Sequence, residues 1–302
     1  MSHQSSSVKS IIFALLANLG IAITKTVAAI VTGSGAMLAE SIHSFADCGN
    51  QGLLFLGLKD SKKAPTIDHP LGHGKAIYFW SFIVALILFS MGGLFSIYEG
   101  VHKLSSSDEI SNPYIAIAVL SVSMLLEGAS LLGCIGQVNK IRKNESLWKW
   151  FLNSRQSELV LVMGEEVGAI LGLLFALISI ILSIATGNPM FDAIGSIGIG
   201  CLLIVISMFM AVKIKGLLIG QSIAPEVRKD IIDFLEAQPE VKSVLNLITL
   251  QLGEQIMVAV KVKMENAETV DELIQNINRC EVALKKHNPA IQWSFFEPDV
   301  TD

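Results

Sequence analysis

The chain has 302 residues, of which 52% are hydrophobic and 16% are charged. A soluble globular protein carries about 25% charged residues, so this composition is typical of a membrane protein. The net charge of −5 and the lack of a run of lysines and arginines argue against a nucleic-acid partner. Four scattered cysteines without a Cys-x-x-Cys pair indicate neither a zinc ribbon nor a disulfide framework.

Six stretches of the sequence are long and apolar enough to cross a bilayer, which takes roughly 20 residues of helix. We number them as spans one to six: residues 11–31, 35–58, 76–101, 114–138, 158–184 and 191–214. Lysines and arginines cluster in the connections after the second and fourth spans, whereas the turns at 32–34 and 186–189 hold no charge. The positive-inside rule therefore predicts that both termini face the cytoplasm.

From about residue 224 the sequence becomes that of a small soluble domain. Apolar residues recur at helical spacing in APEVRKDIIDFLEAQ and TVDELIQNINRCEVALKKH, while VKSVLNLITLQL, EQIMVAVKVKM and AIQWSFF have the pattern of strands. The order αββαβ predicts a sheet with both helices on one face. We therefore expect a six-helix transmembrane domain at 1–222 and a small cytoplasmic α+β domain at 223–302.

Ionisable side chains occur in the middle of the second and fifth spans, where charge costs several kcal/mol. In ESIHSFAD, His43 and Asp47 are one helical turn apart and share a face with Glu40. The fifth span carries Glu165 and Glu166 in MGEEVGA. At 1.5 Å per residue, the second-span aspartate lies about 18 Å below one surface and the second glutamate about 13 Å below the other. Both positions are near the midplane of a core about 30 Å thick.

One imidazole and several carboxylates at one depth have the donor atoms that zinc binds in a tetrahedron. We predict that His43, Asp47 and Glu166 provide three ligands of a divalent metal, with Glu165, Glu40 or water as the fourth. The alternative is that these groups join helices through hydrogen bonds. Ionisable groups within the membrane mark ion or proton pathways by default, which favours the metal site.

Two charged residues of other spans lie at comparable depth. Lys25 in the first span can reach the membrane surface with its flexible stem or pair with Glu40. Glu127 in the fourth span is near mid-depth. Together with His43, it is our candidate for the proton pathway.

Two further polar residues are expected to serve the fold. Asn50 follows the second-span aspartate by about one turn and is expected to make interhelical hydrogen bonds. Asp192 opens the sixth span, where a carboxylate suits a helix N-terminus. We expect it to cap that helix.

The connection between the second and third spans contains DHPLGHGK, with Asp68, His69 and His73 on the predicted cytoplasmic side. The proline and the glycines favour a loop over a helix. A turn can still bring these side chains together as a weak metal-entry site. The alternative is a structural turn whose imidazoles bond to the backbone.

Several motifs resemble those of the cation diffusion facilitator family, in order and over nearly the whole chain. They are HSFAD in the second span, HPLGHGKAIYFWSFIVA before the third, FDAIGSIGIGCLLIVIS in the sixth, and the closing FEPD. The glutamate pair, with SIHS and NQG around the second span, is most similar to the zinc transporter nine-like branch. The resemblance implies a homodimeric antiporter that moves Zn²⁺ or a related cation against protons, with a ferredoxin-like cytoplasmic tail that dimerises.

Two positions depart from the family pattern. Family members typically carry His/Asp-x-x-x-Asp on both the second and the fifth spans, and the second span of this chain matches. In the fifth span Val162 stands four residues before Glu166, and valine cannot coordinate a metal. Gln221 stands about where many relatives have an acidic residue that pairs with the lysine matching Lys75.

We therefore predict a transporter and not an enzyme, which performs Zn²⁺/H⁺ antiport by alternating access around one midplane site. Its predicted partners are a second copy of the same chain, the lipid bilayer, divalent cations and protons. Its predicted location is the cell (inner or plasma) membrane. Mn²⁺ or Fe²⁺ as substrate stays open, because carboxylates favour harder cations and imidazole favours zinc. A membrane metal sensor or scaffold that transports nothing also stays open. An intramembrane metalloenzyme would be expected to carry a motif such as HExxH, which the sequence lacks.

Overall fold

The computed structural model describes residues 18–105, 110–142 and 145–301, and the chain is mostly helical. We label the helices in chain order, so that α6 and α7 correspond to the fifth and sixth predicted spans. Before the tail they are α1 (Asn18–Thr32), α2 (Gly35–Ser61), α3 (Ala76–Leu104), α4 (Pro113–Ile141), the short α5 (Leu147–Asn153), α6 (Ser157–Thr186) and α7 (Met190–Ile219).

Within the described residues, four helices are long and apolar enough to cross a membrane: α3, α4, α6 and α7. Each extends a few residues beyond the predicted span, and the predicted membrane α-helical fold is confirmed. Helix α2 has 27 residues, with polar side chains in its middle that lower its hydropathy. The first residues of the predicted span one, 11–17, lie outside the described part of the chain. The predicted number of six spans is reached when α1 and α2 also cross the membrane, in addition to the four apolar helices.

Helix α3 is not regular along its length. Its middle segment, Leu88–Leu94, is π-helical, a geometry that is frequent at functional sites. Gly92 in this segment lies beside α2, because a Cβ at that position would be 3.9 Å from Nδ1 of His43. The hydrophobic pattern of the sequence does not predict this segment.

Helices α3 and α7 pack closely because glycines lie where their backbones meet. A Cβ at Gly93 would be 2.5 Å from the Ile204 side chain, and one at Gly100 would be 2.7 Å from the carbonyl oxygen of Ala193. A Cβ at Gly200 would be 2.7 Å from the carbonyl oxygen of Gly93. As the residue number rises along α3, the number of its partner on α7 falls, so the two helices are antiparallel.

The tail has the predicted order of elements. They are α8 (Pro225–Glu236), β1 (Val241–Leu252), β2 (Gln255–Met264), α9 (Val270–His287) and β3 (Ile291–Pro298). The sheet has the order β1-β2-β3, with β1 antiparallel and β3 parallel to β2. Buried side chains of both helices and all three strands form one core, which includes Ile231, Leu247, Val258, Leu284 and Ile291. The predicted small α+β domain is therefore confirmed.

The chain divides into two compact units. The first contains the described residues of 1–56, 80–147 and 158–214, and the second those of 57–79, 148–157 and 215–302. Within the second unit, the first turn of α3 contacts the turn between β1 and β2, where the backbone N–H of Gly253 donates to Oη of Tyr78 at 2.9 Å. The predicted domain boundary at 222/223 stays a prediction.

Candidate metal-binding site

Helices α2 and α6 come into contact at two levels inside the first unit. Nδ2 of Asn50 donates a hydrogen bond to Oε1 of Glu165 at 2.6 Å, and both side chains are buried. Nearer the start of α2, Glu40 approaches Gly172 so closely that a Cβ on this glycine would collide with its carboxylate. The two contacts show that the helices are antiparallel, and the predicted interhelical hydrogen bond of Asn50 is confirmed.

A small cavity of about 40 Å³ lies between α1, α2, α4 and α6. This volume is enough for a few water-sized particles. Four acidic side chains line it: Asp47 of α2, Glu127 of α4, and Glu165 and Glu166 of α6. The remaining lining residues are Asn18, Ile21, Ser44, Gln51, Val162 and Ala169.

The two adjacent glutamates of α6 reach the cavity from different sides, since successive helix positions are about 100° apart. Glu165 is bonded to Asn50 of α2, whereas Glu166 accepts a hydrogen bond from Oγ of Ser130 on α4 at 2.6 Å. Val162 lies one turn before Glu166 and lines the same cavity. The apolar residue that departs from the family pattern therefore faces the candidate site.

Several buried polar atoms around the cavity have no hydrogen-bond partner among the residues that the structure describes. Nε2 of His43 is 3.6 Å from Oδ2 of Asp47, which is too long for a hydrogen bond. Neither ring nitrogen of His43 is bonded, nor are Oδ1 of Asp47, Oδ1 of Asn50 and Oε2 of Glu166. Buried polar atoms nearly always have partners, so this concentration of unpartnered donors and acceptors is typical of a functional site.

The predicted ligands do not form a complete coordination sphere. In the described part of the chain, no three His, Cys, Asp or Glu side chains are grouped so that they could hold a metal ion. Asp47, Glu165 and Glu166 share the cavity, and His43 is not among the residues that line it. The metal-ligand set stays a prediction.

Glu40, predicted as one possible fourth ligand, is held by Lys25 of α1. Nζ of Lys25 lies 3.2 Å from Oε2 of Glu40 and donates a hydrogen bond to Oγ of Ser44 at 2.8 Å. All three side chains are buried. Of the two alternatives for Lys25, the ion pair with Glu40 is confirmed.

Asp192 caps a different helix from the one that carries it. Its carboxylate accepts hydrogen bonds from Oγ of Ser34 and from the backbone N–H groups of Gly35 and Ala36, at 2.6, 2.6 and 3.3 Å. Nζ of Lys103 lies 3.4 Å from the same carboxylate. Asp192 lies in the first turn of α7, where its charge suits the helix N-terminus as predicted, but the hydrogen bonds of its carboxylate cap the start of α2.

In the loop after α2, a turn brings two imidazoles together. The ring centroids of His69 and His73 are 4.5 Å apart, and Nδ1 of His73 is buried with no hydrogen-bond partner in the described ranges. Asp68 is exposed. Since no metal-holding group of three includes these described residues, the predicted metal-entry site stays a prediction.

Gln221, the second departure from the family pattern, contacts an arginine. With its amide oriented to suit its neighbours, Oε1 accepts a hydrogen bond from Nη1 of Arg155 at 3.0 Å. Nε of Arg155 also donates to the carbonyl oxygen of Ser222 at 3.0 Å. Burial lowers the pKa of the Arg155 guanidinium, while Glu226 favours its charged form. Gln221 therefore has a defined partner two residues before the start of α6.

Comparisons with known proteins agree with the motifs. Residues 11–219 match the cation efflux transmembrane domain. The proton-coupled zinc antiporter SLC30A9, mitochondrial, of Homo sapiens is 35% identical over 231 residues, which are 76% of this chain and 41% of that protein. Metal tolerance protein C4 of Arabidopsis thaliana is 34% identical over 224 residues, which are 74% and 49% of the two chains. Magnetosome protein MamB of Paramagnetospirillum magneticum is 25% identical over 258 residues, or 84% and 80%.

The chain spans less than half the length of the human and Arabidopsis relatives. The matched domain nevertheless covers most of this chain, from the first predicted span to the end of α7. The fold, the polar cavity in the membrane and these matches lead to one conclusion: the chain belongs to the cation diffusion facilitator family, in its zinc transporter-like branch.

Proposed function

We propose that this protein exchanges Zn²⁺ for protons across a membrane, by alternating access around the cavity between α2 and α6. The observation that carries the proposal is that Asp47, Glu165 and Glu166 line one cavity inside the membrane unit. The names of the human and Arabidopsis relatives, a proton-coupled zinc antiporter and a metal tolerance protein, support it.

In the metal-bound state we assign His43, Asp47, Glu166 and Glu165 as ligands. These residues offer one imidazole and three carboxylates, which suits a tetrahedral zinc ion. Three carboxylates that line one cavity repel one another when ionised, and a dication between them removes that repulsion. Metal binding would therefore favour a closer approach of α2 to α6, and this difference in affinity between conformations is what alternating access requires.

Proton coupling follows from the chemistry of the ligands. Imidazole nitrogen and carboxylate oxygen bind zinc only when they are deprotonated, so zinc and protons compete for the same atoms. Glu127 lines the cavity from α4 without belonging to the proposed ligand set. We assign it and His43 to the proton pathway, because both can accept protons next to the metal.

The alternative substrate is Mn²⁺ or Fe²⁺. Four carboxylates line the cavity, and oxygen-rich sites favour harder cations than zinc. The imidazole of His43 favours zinc. Competition between these ions for transport decides between the substrates.

We further propose that the protein is a homodimer joined by its tail. Ile248, Ala259 and Phe295 are paired in register across the three strands, and the first and last are mostly exposed. An apolar row of this kind on a sheet face is typical of a surface that another copy covers. We place both termini in the cytoplasm and the protein in the cell membrane, with His69, His73 and Asp68 as a cytoplasmic entry point for metal.

The proposal is tested with purified protein in vesicles that contain a zinc-responsive dye. A pH gradient should drive zinc uptake, and Asp47→Asn and Glu166→Gln should each reduce the rate at least about a hundredfold, because loss of a residue that merely supports a metal ligand already costs about 10- to 100-fold. Asp233→Asn, which removes an exposed carboxylate of α8, should leave the rate unchanged. Full uptake in both cavity variants would overturn the site. Binding of zinc without uptake of any divalent ion would instead indicate a sensor or scaffold.

A further inference from the structure

The buried ammonium of Lys25 is linked to the candidate metal cavity through the hydroxyl group of Ser44. The side chains of Lys25 and Glu40 are completely buried, and Ser44 is 5% exposed. Lys25 contacts the other two, and Ser44 in turn lines the cavity beside Asp47. This arrangement has a cost, because burying an ion pair in the membrane requires removing both charges from water.

The ammonium engages two oxygen groups, and one of them, the hydroxyl of Ser44, lines the cavity. An ammonium has three donors and no acceptor, so the hydroxyl oxygen of Ser44 must accept the hydrogen bond from Lys25. Oε2 of Glu40 is engaged in the ion pair, while its Oε1 is buried and has no hydrogen-bond partner within the described part of the chain. Lys25 therefore engages oxygen atoms that could otherwise coordinate a cation.

We propose that Lys25 is a specificity-determining residue of the metal site. By holding Glu40 and Ser44, it keeps two oxygen groups out of the ligand set and leaves the imidazole and carboxylates around Asp47. Harder cations such as Mn²⁺ seek about six ligands, mostly oxygens, whereas zinc is satisfied by four. The withheld oxygens therefore disfavour Mn²⁺ more than Zn²⁺. This inference rests on the proposed function, because it concerns the ligands of the same site.

A matched pair of double variants isolates the effect of the oxygens. Removing Lys25 alone would leave Glu40 as an unpaired buried charge, so both charges are removed together. The amide double variant, Lys25→Met with Glu40→Gln, keeps a side-chain oxygen at position 40 and frees the hydroxyl of Ser44. The apolar double variant, Lys25→Met with Glu40→Met, removes the same charges and offers no oxygen there. Replacing a buried ion pair by apolar side chains is often neutral for stability.

The readout is the ratio of the Mn²⁺ to the Zn²⁺ dissociation constant, measured with each metal alone on detergent-solubilised protein, beside uptake in vesicles. In the amide double variant this ratio should be roughly tenfold lower than in wild type, which means relatively tighter binding of Mn²⁺. A change of this size is a typical effect of a residue that supports metal ligands. The apolar double variant should show a smaller shift. A purely structural role would change the binding of both metals by the same factor.

Equal ratios in wild type and both double variants would overturn the inference. A larger shift in the apolar double variant than in the amide double variant would overturn it as well, because the added oxygen would then have no effect. Failure of wild-type vesicles to take up zinc would refute the proposed transport, whereas the binding ratios would still decide the role of Lys25.

Discussion

Asn50 of α2 and Glu165 of α6 are joined by one buried hydrogen bond of 2.6 Å, next to the cavity that Asp47 lines. The amide nitrogen donates, so the hydrogen bond fixes the orientation of the Glu165 carboxylate. The same contact holds together the two helices that carry the proposed metal ligands. A residue outside the ligand set thus positions one member of it.

Asn50→Ala should weaken zinc binding roughly tenfold, because Glu165 loses the donor that orients it. Zinc affinity of the solubilised protein is the measurement. Asn139→Ala is the matched control, since it removes an exposed amide near the end of α4 whose oxygen accepts a hydrogen bond from Arg142. Unchanged affinity in Asn50→Ala would show that Glu165 does not depend on this bond.

Val162→Asp should tighten zinc binding roughly tenfold, because it adds a carboxylate one turn before Glu166 in the same cavity. It should also make Glu165 dispensable. Glu165→Gln is therefore expected to weaken zinc binding in wild type and to have little effect in the Val162→Asp background. A loss of the same size in both backgrounds would show that Glu165 is not the substitute for the missing ligand.

Gly200→Ala should destabilise the membrane unit by about 1–3 kcal/mol, a typical cost of overpacking. The added methyl group would meet the Ile97 side chain at 2.6 Å and the carbonyl oxygen of Gly93 at 2.7 Å. Gly128→Ala is the control, because a Cβ there has no atom of the described residues within 4 Å. Thermal unfolding in detergent should show a lower midpoint for the first variant alone, and equal midpoints would contradict the close packing of α3 and α7.

Cys280 in the tail should resist alkylation at pH 8 in the folded protein. Burial raises the pKa of its thiol to about 11, so the thiol stays protonated below that pH, and the thiolate is the reactive form. Denaturation should make it react rapidly. Site-resolved mass spectrometry after a short pulse of maleimide measures both states, and rapid labelling of the native tail would contradict the burial of Cys280.

The sequence was sufficient to predict the helices and strands because their patterns are local. Apolar stretches of bilayer length and alternating strands identify most elements, and span ends differ by a few residues because helices continue past the apolar core. The π-helical segment Leu88–Leu94 could not be predicted, since it has no distinctive hydrophobic pattern.

Predicting the candidate site required knowledge of which residues far apart in sequence lie close together in space. The spacing of His43 and Asp47 suggested a shared face, but only the fold shows that Asp47 and Glu165 line one cavity. Lys25 had two possible partners in the sequence, and the contact with Glu40 decides between them. The place of Asp192 in the first turn of α7 was predictable, but its hydrogen bonds to the start of α2 were not, because Gly35 is 157 residues away in sequence.

X-ray absorption at the zinc edge tests the central claim most directly, on zinc-loaded protein that carries His69→Gln and His73→Gln to remove the loop imidazoles. The account predicts one imidazole nitrogen and several oxygens at about 2.0–2.2 Å, with loss of bound zinc after Asp47→Asn. A spectrum without imidazole, or an unchanged spectrum in the Asp47→Asn variant, would contradict a zinc site between α2 and α6.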